Sequence, residues 1–485
     1  MNLTKLIIAL MFPVVVSAQT TLTQKQIRDD YRIFKSILIS VHPSFYEYNT
    51  IEDWDSIFNK VEKTELNHLK NADEFYRTLC SIANNVRDGH LMVYHSKMDT
   101  IPKMFPLMLK IIDSKLYTDT DEFNIPLCSE IISINGVSSS QLLDKMLKYV
   151  PADGNNLTKK YRQIEREFGI LHYYEFGKFD QFEIEYLTPE NQLTTTAVYS
   201  QVFEEIGDRY PLRNSHFALY HGYSDRNLYF QERINEKWPF YNFIDSINTA
   251  VITVNSFGLE PKEFNSRLIE IFMDFRKKKV KNLIVDVRQN NGGYRINAIN
   301  LFSLLTNKPF KQRVSESVIT STLFEEEYII DTLSNYDLFL TNYFANSIQE
   351  NNRWVLKKDH AENELEPNKR RFKGHTYVLI GGRTFSAGSA FALNAKNDPN
   401  IALVGEETGG GYYFHTGQYP VLYQLPYSKI MLRISLVKID HYVNDNTQPK
   451  GRGIIPDYNV NLSVEDLKKG KDTQLDFVIN HIQNN

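Results

Sequence analysis

"TYVLIGGRTFSAGSAFALNAKN", residues 376–397, carries four apolar residues, Tyr377 to Ile380, through two glycines into a small-residue segment. An apolar run bounded by turn residues and followed by helical spacing reads as a buried strand feeding a helix. "NLIVDVRQNNGGYR", residues 282–295, repeats the grammar and leaves its run near Arg288 through Asn290, Asn291, Gly292 and Gly293. "AVITVNSF", starting at Ala250, and "IALVGE", starting at Ile401, complete a set of four. From about Thr249 onward such runs alternate with helical patterns, which predicts an α/β sheet buried on both faces.

The two turns could also carry chemistry. A serine hydroxyl is a weak nucleophile until a base removes its proton, and the oxyanion formed on attack needs fixed donors. Strand-to-helix turns supply an exposed side chain and unpaired backbone N–H groups. Both turns can share one edge of a parallel sheet, where open α/β folds place ligands. By themselves the residues equally fit two ordinary turns, with glycines at unusual backbone angles and Ser386 or Ser389 capping a helix.

Working outward, Lys5 precedes the apolar run Leu6 to Val16, and Val16-Ser17-Ala18 offers small residues for a signal peptidase. We expect residues 1–18 to be a cleaved export signal, which makes the mature protein periplasmic or secreted. Cleavage removes only Lys5 among charged residues, so the net charge goes from −4 to −4 − 1 = −5. No other stretch reaches the length of a membrane span, and no basic run is long enough to suggest nucleic acid. Cys80 and Cys128 could pair in an oxidising compartment or remain buried thiols.

From Thr23, the residues Ile27, Tyr31, Phe34, Leu38 and Val41 keep helical spacing until Pro43, with Thr23 and Gln26 placed as a capping box. Two further amphipathic patterns follow, around Trp54 and from Phe75 to Val86. Gly89, in Arg87-Asp88-Gly89-His90, is expected to stop the second, and "LMVY" to form a strand. Residues 101 to about 205 read as a β-rich module with one helix, Gln141 to Tyr149. Between Asn307 and Lys373 the α/β alternation lapses, and this stretch is expected to be an inserted lid or arm.

Four ordered motifs, "LIVDVRQNNGG", "GGRTFSAGSAFA", "ALVGEETGGG" and "GRGIIPDYNV", resemble those of the tail-specific, or C-terminal processing, serine peptidases. The tricorn-like, retinoid-binding-protein-like branch is the nearer match. "VHPSFYEY", "RDGHLMVY" and "SEIISINGV" extend the likeness upstream. The resemblance implies a ClpP/crotonase-like spiralled α/β core over 206–465, with the insert 307–373. It further implies an N-terminal helical region over 19–100, a PDZ-like module over 101–205 and a C-terminal helix over 466–485.

Carried over by position, the resemblance makes Ser386 the nucleophile and gives Ser389 a capping or packing role. The lysine base of the tail-specific branch has no counterpart in Thr408-Gly409-Gly410-Gly411. The resemblance therefore points to His90 as general base, whose ordinary pKa near 6.5 suits the task. The amides of Gly292 or Gly293 and of Ala387 would form the oxyanion hole. Asp286 and Arg288 are read as anchors of their turn, His42 as packing or capping, and His95 and His415 as weaker candidate bases.

Lys450 stands where the branch has the acid that orients the histidine. The acid is then one of Glu406, Glu407, Asp440 or Asp445, or the pair works as a Ser-His dyad. The spacing of His, Cys, Asp and Glu suggests no metal site, and no cofactor is expected. The implied activity is hydrolysis of peptides or unfolded proteins, as an endopeptidase or carboxy-terminal processing peptidase. The competing readings are a non-catalytic peptide or lipophile binder on the same scaffold, and an esterase-like acyl hydrolase.

Overall fold

In the computed structural model, residues 21–96, 101–209, 221, 230–332, 341, 343–357 and 364–484 are described. The expected signal segment, residues 1–18, lies outside them. No helix among the described residues is long and apolar enough to cross a membrane.

The four apolar runs form adjacent parallel strands, Thr249–Thr253, Asn282–Asp286, His375–Ile380 and Ile401–Gly405. Tyr458–Asn459 adds a parallel edge and Phe240–Ile244 an antiparallel one, giving a six-stranded sheet. One face packs on the helices Pro261–Lys277, Arg295–Ser303 and Ala387–Asn397 through Phe264, Phe302 and Phe391. The other is covered by the C-terminal helix Thr473–Asn484 through Leu475 and Val478. Burial on both faces is why these strands read as continuous apolar runs.

Asp286 pairs in register with Leu379. The two glycine-bearing turns therefore leave the same edge of the sheet side by side, and hydrogen bonds join them. Phe385 N donates to Asn290 O at 3.0 Å, and Thr384 Oγ1 donates to Val287 O at 2.8 Å.

The N-terminal helices form as their spacing requires. Gln24–Val41 carries the Thr23/Gln26 capping box, and Ala72–Val86 buries Phe75, Leu79, Ile82 and Val86. The stop of the second helix differs from expectation, because Arg87 and not Gly89 takes the left-handed position, with φ 58°. These helices share one core with a seven-stranded sheet that includes Phe414–Gln424 and Met431–His441. Residues 307–373, read from sequence as a lid or arm, contribute four strands to that sheet: Arg313–Val318, Ile329–Thr332, Ser347–Glu350 and Arg353–Leu356. "LMVY" supplies Met92–Tyr94, which pairs antiparallel with Met431 to Arg433.

Residues 109–199 form a third sheet, six-stranded and antiparallel. Its core also takes in a 20-residue helix, Leu157–Phe176. Sequence reading missed this helix because Lys160, Glu165 and His172 lie buried on it among Ile164, Phe168 and Leu171, which blurs the apolar stripe. Cys80 and Cys128 are both buried and unpaired. Burial pushes their thiols up to about 12 and about 11.

Candidate active site

Ser386 caps the Ala387–Asn397 helix with φ 53° and ψ −123°, a conformation that L-residues rarely adopt. Its hydroxyl makes no capping bond, and the residue is only half-buried. Ser389, one turn on, is buried and satisfied. Its Oγ donates to Thr384 O at 2.8 Å and accepts from Gly410 N at 3.1 Å.

Gly292, at φ 105°, lies against Ser386. A Cβ on it would fall 2.7 Å from the Ser386 Cβ and 3.0 Å from Ala387 N. Its own N–H, expected as a candidate oxyanion donor, is engaged with Asn290 Oδ1 at 2.9 Å. That corrects the expected set. The Ala387 amide begins a helix and so has no intrahelical acceptor, which leaves it and the Gly293 amide as the better donors.

Arg288 anchors the neighbouring turn as expected. It reaches Asp286 and Asp472, each at 2.6 Å, and is half-buried among them. Burial works against its charge, but the two carboxylates hold its pKa well above the ordinary value. A cavity of about 290 Å³ opens beside these turns, lined in part by Gln289, Gly381, Gly382, Arg383 and Glu406.

His90 comes to this edge from the far end of the chain. Its ring lies 4.6 Å from that of Phe385, the residue before Ser386, and 5.6 Å from that of His415. The pairing of Met92–Tyr94 fixes the segment from one side, and buried carboxylates fix it from the other. Asp88 Oδ1 accepts from His90 N at 2.7 Å, and Asp153 Oδ1 accepts from Gly89 N at 2.6 Å. Asp153 Oδ2 takes Gly411 N at 2.9 Å, which ties the triple-glycine loop to the same group.

The acid next to His90 is therefore none of the four expected from sequence. Glu406 faces Arg162, Glu407 is paired with Arg452 and Gly453 N, Asp440 accepts from Ser315, and Asp445 accepts from Thr447 and Gln448. One carboxylate oxygen each from Asp88 and Asp153 and one ring nitrogen of His90 lie within 4.8 Å of one another. Such a trio could coordinate a cation. Here its carboxylate oxygens are already taken by hydrogen-bond donors, and the Lys159 ammonium stands beside it, donating to Gly89 O at 3.1 Å. The surroundings suit proton handling better than metal binding.

Asp88 is the hub. Thr416 Oγ1 donates to its Oδ2 at 2.6 Å, and His42 Nε2 lies 2.8 Å from the same atom. Ser44 N donates to His42 Nδ1, so the neutral ring carries its proton on Nε2, toward Asp88. His42 thus supports the site as well as ending its helix. Burial alone would raise the Asp88 carboxyl, but His42, His90 and Thr416 outweigh it and hold the group below the usual carboxylate range.

Burial lowers His90 to about 4, with Asp88 opposing and Lys159 and Arg433 assisting. The imidazole is neutral at pH 7, as a general base must be. Its Nδ1 is buried with no hydrogen-bond partner among the described residues. Burial, with the Asp88 charge, raises Asp153 to about 6, and burial lowers Lys159 to about 8. Lys159, near the start of the helix missed from sequence, sits 3.6 Å over the Phe385 ring.

His415, weighed as a weaker candidate, bonds through Nδ1 to His441 Nε2 at 2.6 Å, and His441 Nδ1 bonds Tyr412 O at 2.9 Å. A carbonyl only accepts, so His441 Nδ1 carries the proton and His415 donates in turn. His95 pairs with Asp73 and stacks on Tyr174, in a structural role.

Residues 248–460 match peptidase family S41. No curated protein sequence matches the chain significantly. Among solved structures, mature CPAF aligns with a TM-score of 0.64 at 12% identity, covering 95% of this chain and 99% of that one. A CPAF mutant aligns at 0.67 and 13%, again over 95% and 99%. Mature CPAF complexed with lactacystin aligns at 0.63 and 13%, over 95% and 100%. At such identities the likeness is one of fold.

Proposed function

We propose, from the match of residues 248–460 to peptidase family S41, that the chain is an exported, periplasmic or secreted serine peptidase of that family. In this reading it cleaves peptides or unfolded proteins through an acyl-enzyme on Ser386. His90 is the base, residues 101–205 are a PDZ-like module, and the parallel sheet is the heart of a ClpP/crotonase-like core.

The observation that carries the reading is the strained backbone of Ser386 at a helix start, with the His90 ring against the adjacent Phe385. His90 takes the Ser386 proton as Oγ attacks the substrate carbonyl carbon. The Gly293 and Ala387 amides hold the resulting oxyanion, each worth on the order of 3 kcal/mol in the transition state. The tetrahedral intermediate collapses, the C–N bond breaks, and His90 passes its proton to the leaving amine. Water, deprotonated by the same ring, then releases the acyl group. Asp88, rather than an acid at the Lys450 position, offsets the transient imidazolium charge.

A fluorophosphonate probe tests the reading. Wild type should be labelled and Ser386→Ala should not, and labelled enzyme should lose casein cleavage. An unlabelled wild type, or a labelled Ser386→Ala, rejects this nucleophile. Labelling with ester turnover but no cleavage of casein or unfolded protein rejects the peptidase assignment.

A further inference from the structure

The sequence holds two short basic runs, Arg276 to Lys281 and Lys369 to His375, neither long enough alone to suggest a polyanion partner. The fold joins them. Arg276 Nη2 donates to Arg370 O at 3.2 Å, and His375 N donates to Lys281 O at 3.0 Å. Together they surround a cavity of about 1210 Å³ lined by Arg276, Lys279, Lys281, Lys369, Arg370, Arg371 and Lys373, with no carboxylate among the described lining residues. Lys277 and Lys278 are paired, with Asp274 and Asp245. The seven lining cations have no acidic partner among the described residues.

This concentration runs against the chain's formal charge of −4. Soluble surfaces ordinarily mix signs, and like charges around a concavity repel until an anion enters. The C-terminus of the Pro261–Lys277 helix favours Arg276 and Lys277 through its dipole. It does not account for Lys369 to Lys373, which belong to no helix. The cavity lies at the starts of the strands Asn282–Asp286 and His375–Ile380, at the opposite end of the sheet from Ser386.

Two features favour a lipid surface over a soluble polyanion. Phe372, Tyr377 and Ile482 add apolar lining among the cations. Met273, one turn before Arg276 on the same helix, is 45% exposed and adds an apolar side chain to the surface beside that arginine. We propose that this cavity docks the phosphate-bearing headgroups of anionic lipids, holding the protein peripherally on a membrane.

The test is co-sedimentation with phosphatidylcholine vesicles, with and without phosphatidylglycerol, using the full mature chain. Binding is expected only with the anionic lipid and should be released by 0.5 M salt. Each cation near such a surface contributes about fivefold in partition. Replacing Lys279, Lys281, Arg370 and Lys373 together with Gln should therefore lower partition by at least about tenfold. The same number of changes at Lys60, Lys63, Lys178 and Lys308 should leave it within about threefold. Thermal melting and fluorophosphonate labelling check that the variants fold. If the fourfold variant does not, Lys281→Gln and Lys373→Gln singly should each lower partition by about fivefold. No binding to anionic vesicles, or binding unchanged in these variants, overturns the proposal. So does binding to inositol hexakisphosphate or single-stranded DNA as tight, per phosphate, as to the vesicles.

Discussion

A Cβ on Gly89 would lie 2.8 Å from the ring of Phe385. The same atom would sit 2.9 Å from Asp153 Oδ1, so the backbone is wedged between the residue that precedes Ser386 and the carboxylate that holds the segment. Gly89→Ala must displace one of them. We expect kcat/KM on peptide to fall by about a hundredfold, the scale of a displacement near 1 Å at reacting groups. Overpacking should cost about 1–3 kcal/mol in urea denaturation. Near-normal turnover in a folded variant would show that Gly89 does not set the distance between His90 and Ser386.

The two serines should separate by phenotype. Ser389→Ala removes the partner of the buried Gly410 amide, a loss of about 1–3 kcal/mol, yet leaves the Ser386 turn bonded to Asn290. Labelling by fluorophosphonate should persist with a lowered melting temperature. Ser386→Ala should abolish labelling and leave the melting temperature within a few degrees of wild type. The reverse pattern exchanges the roles.

What was legible in the sequence was what periodicity and turn chemistry write locally. The four apolar runs became adjacent parallel strands, and Thr23 and Gln26 became a capping box, because each signal lies within a few residues. The missing parts of the site are long-range. Asp88 and Asp153 meet around Gly89 only after the antiparallel module packs on the sheet edge, and nothing local to Asp153 marks it. Lys159 was hidden with its helix. The acids proposed from sequence lay near the right motifs, but spacing cannot see that Arg452 and Arg162 claim Glu407 and Glu406.

Stability should depend on pH through opposed groups. His90 and His172 are each lowered to about 4 by burial, against about 6.5 unfolded. As pH falls from 6.5 to 4 the unfolded chain gains protons that the native rings refuse, so stability is lost across that window. Asp153, raised to about 6 by burial and Asp88, has the opposite sign. It binds its proton in the native state between pH 6 and 3.8, so falling pH adds stability there, on the order of 3 kcal/mol at most. Asp153→Asn removes that compensation. Urea midpoints at pH 7, 6, 5 and 4.5 should fall more steeply in the variant than in wild type. Parallel curves would mean that Asp153 is already ionised over this range.

Lys159 offers the sharpest test of how the base is kept neutral. Its ammonium donates to Gly89 O and covers the Phe385 ring, so protonating His90 would put two cations against the same aromatic ring. With His90 near 4, wild-type kcat/KM should stay nearly flat from pH 7 to 5. Lys159→Met removes the neighbouring charge, so the acidic limb should move upward, with activity near wild type at pH 8 and clearly lower at pH 5. Lys159→Arg, which keeps the charge, should restore the limb. A loss uniform across pH in Lys159→Met would make the residue a packing element. A wild-type limb near 8, the value to which burial lowers Lys159, together with an inactive Lys159→Met at every pH, would transfer the role of base from His90 to this lysine.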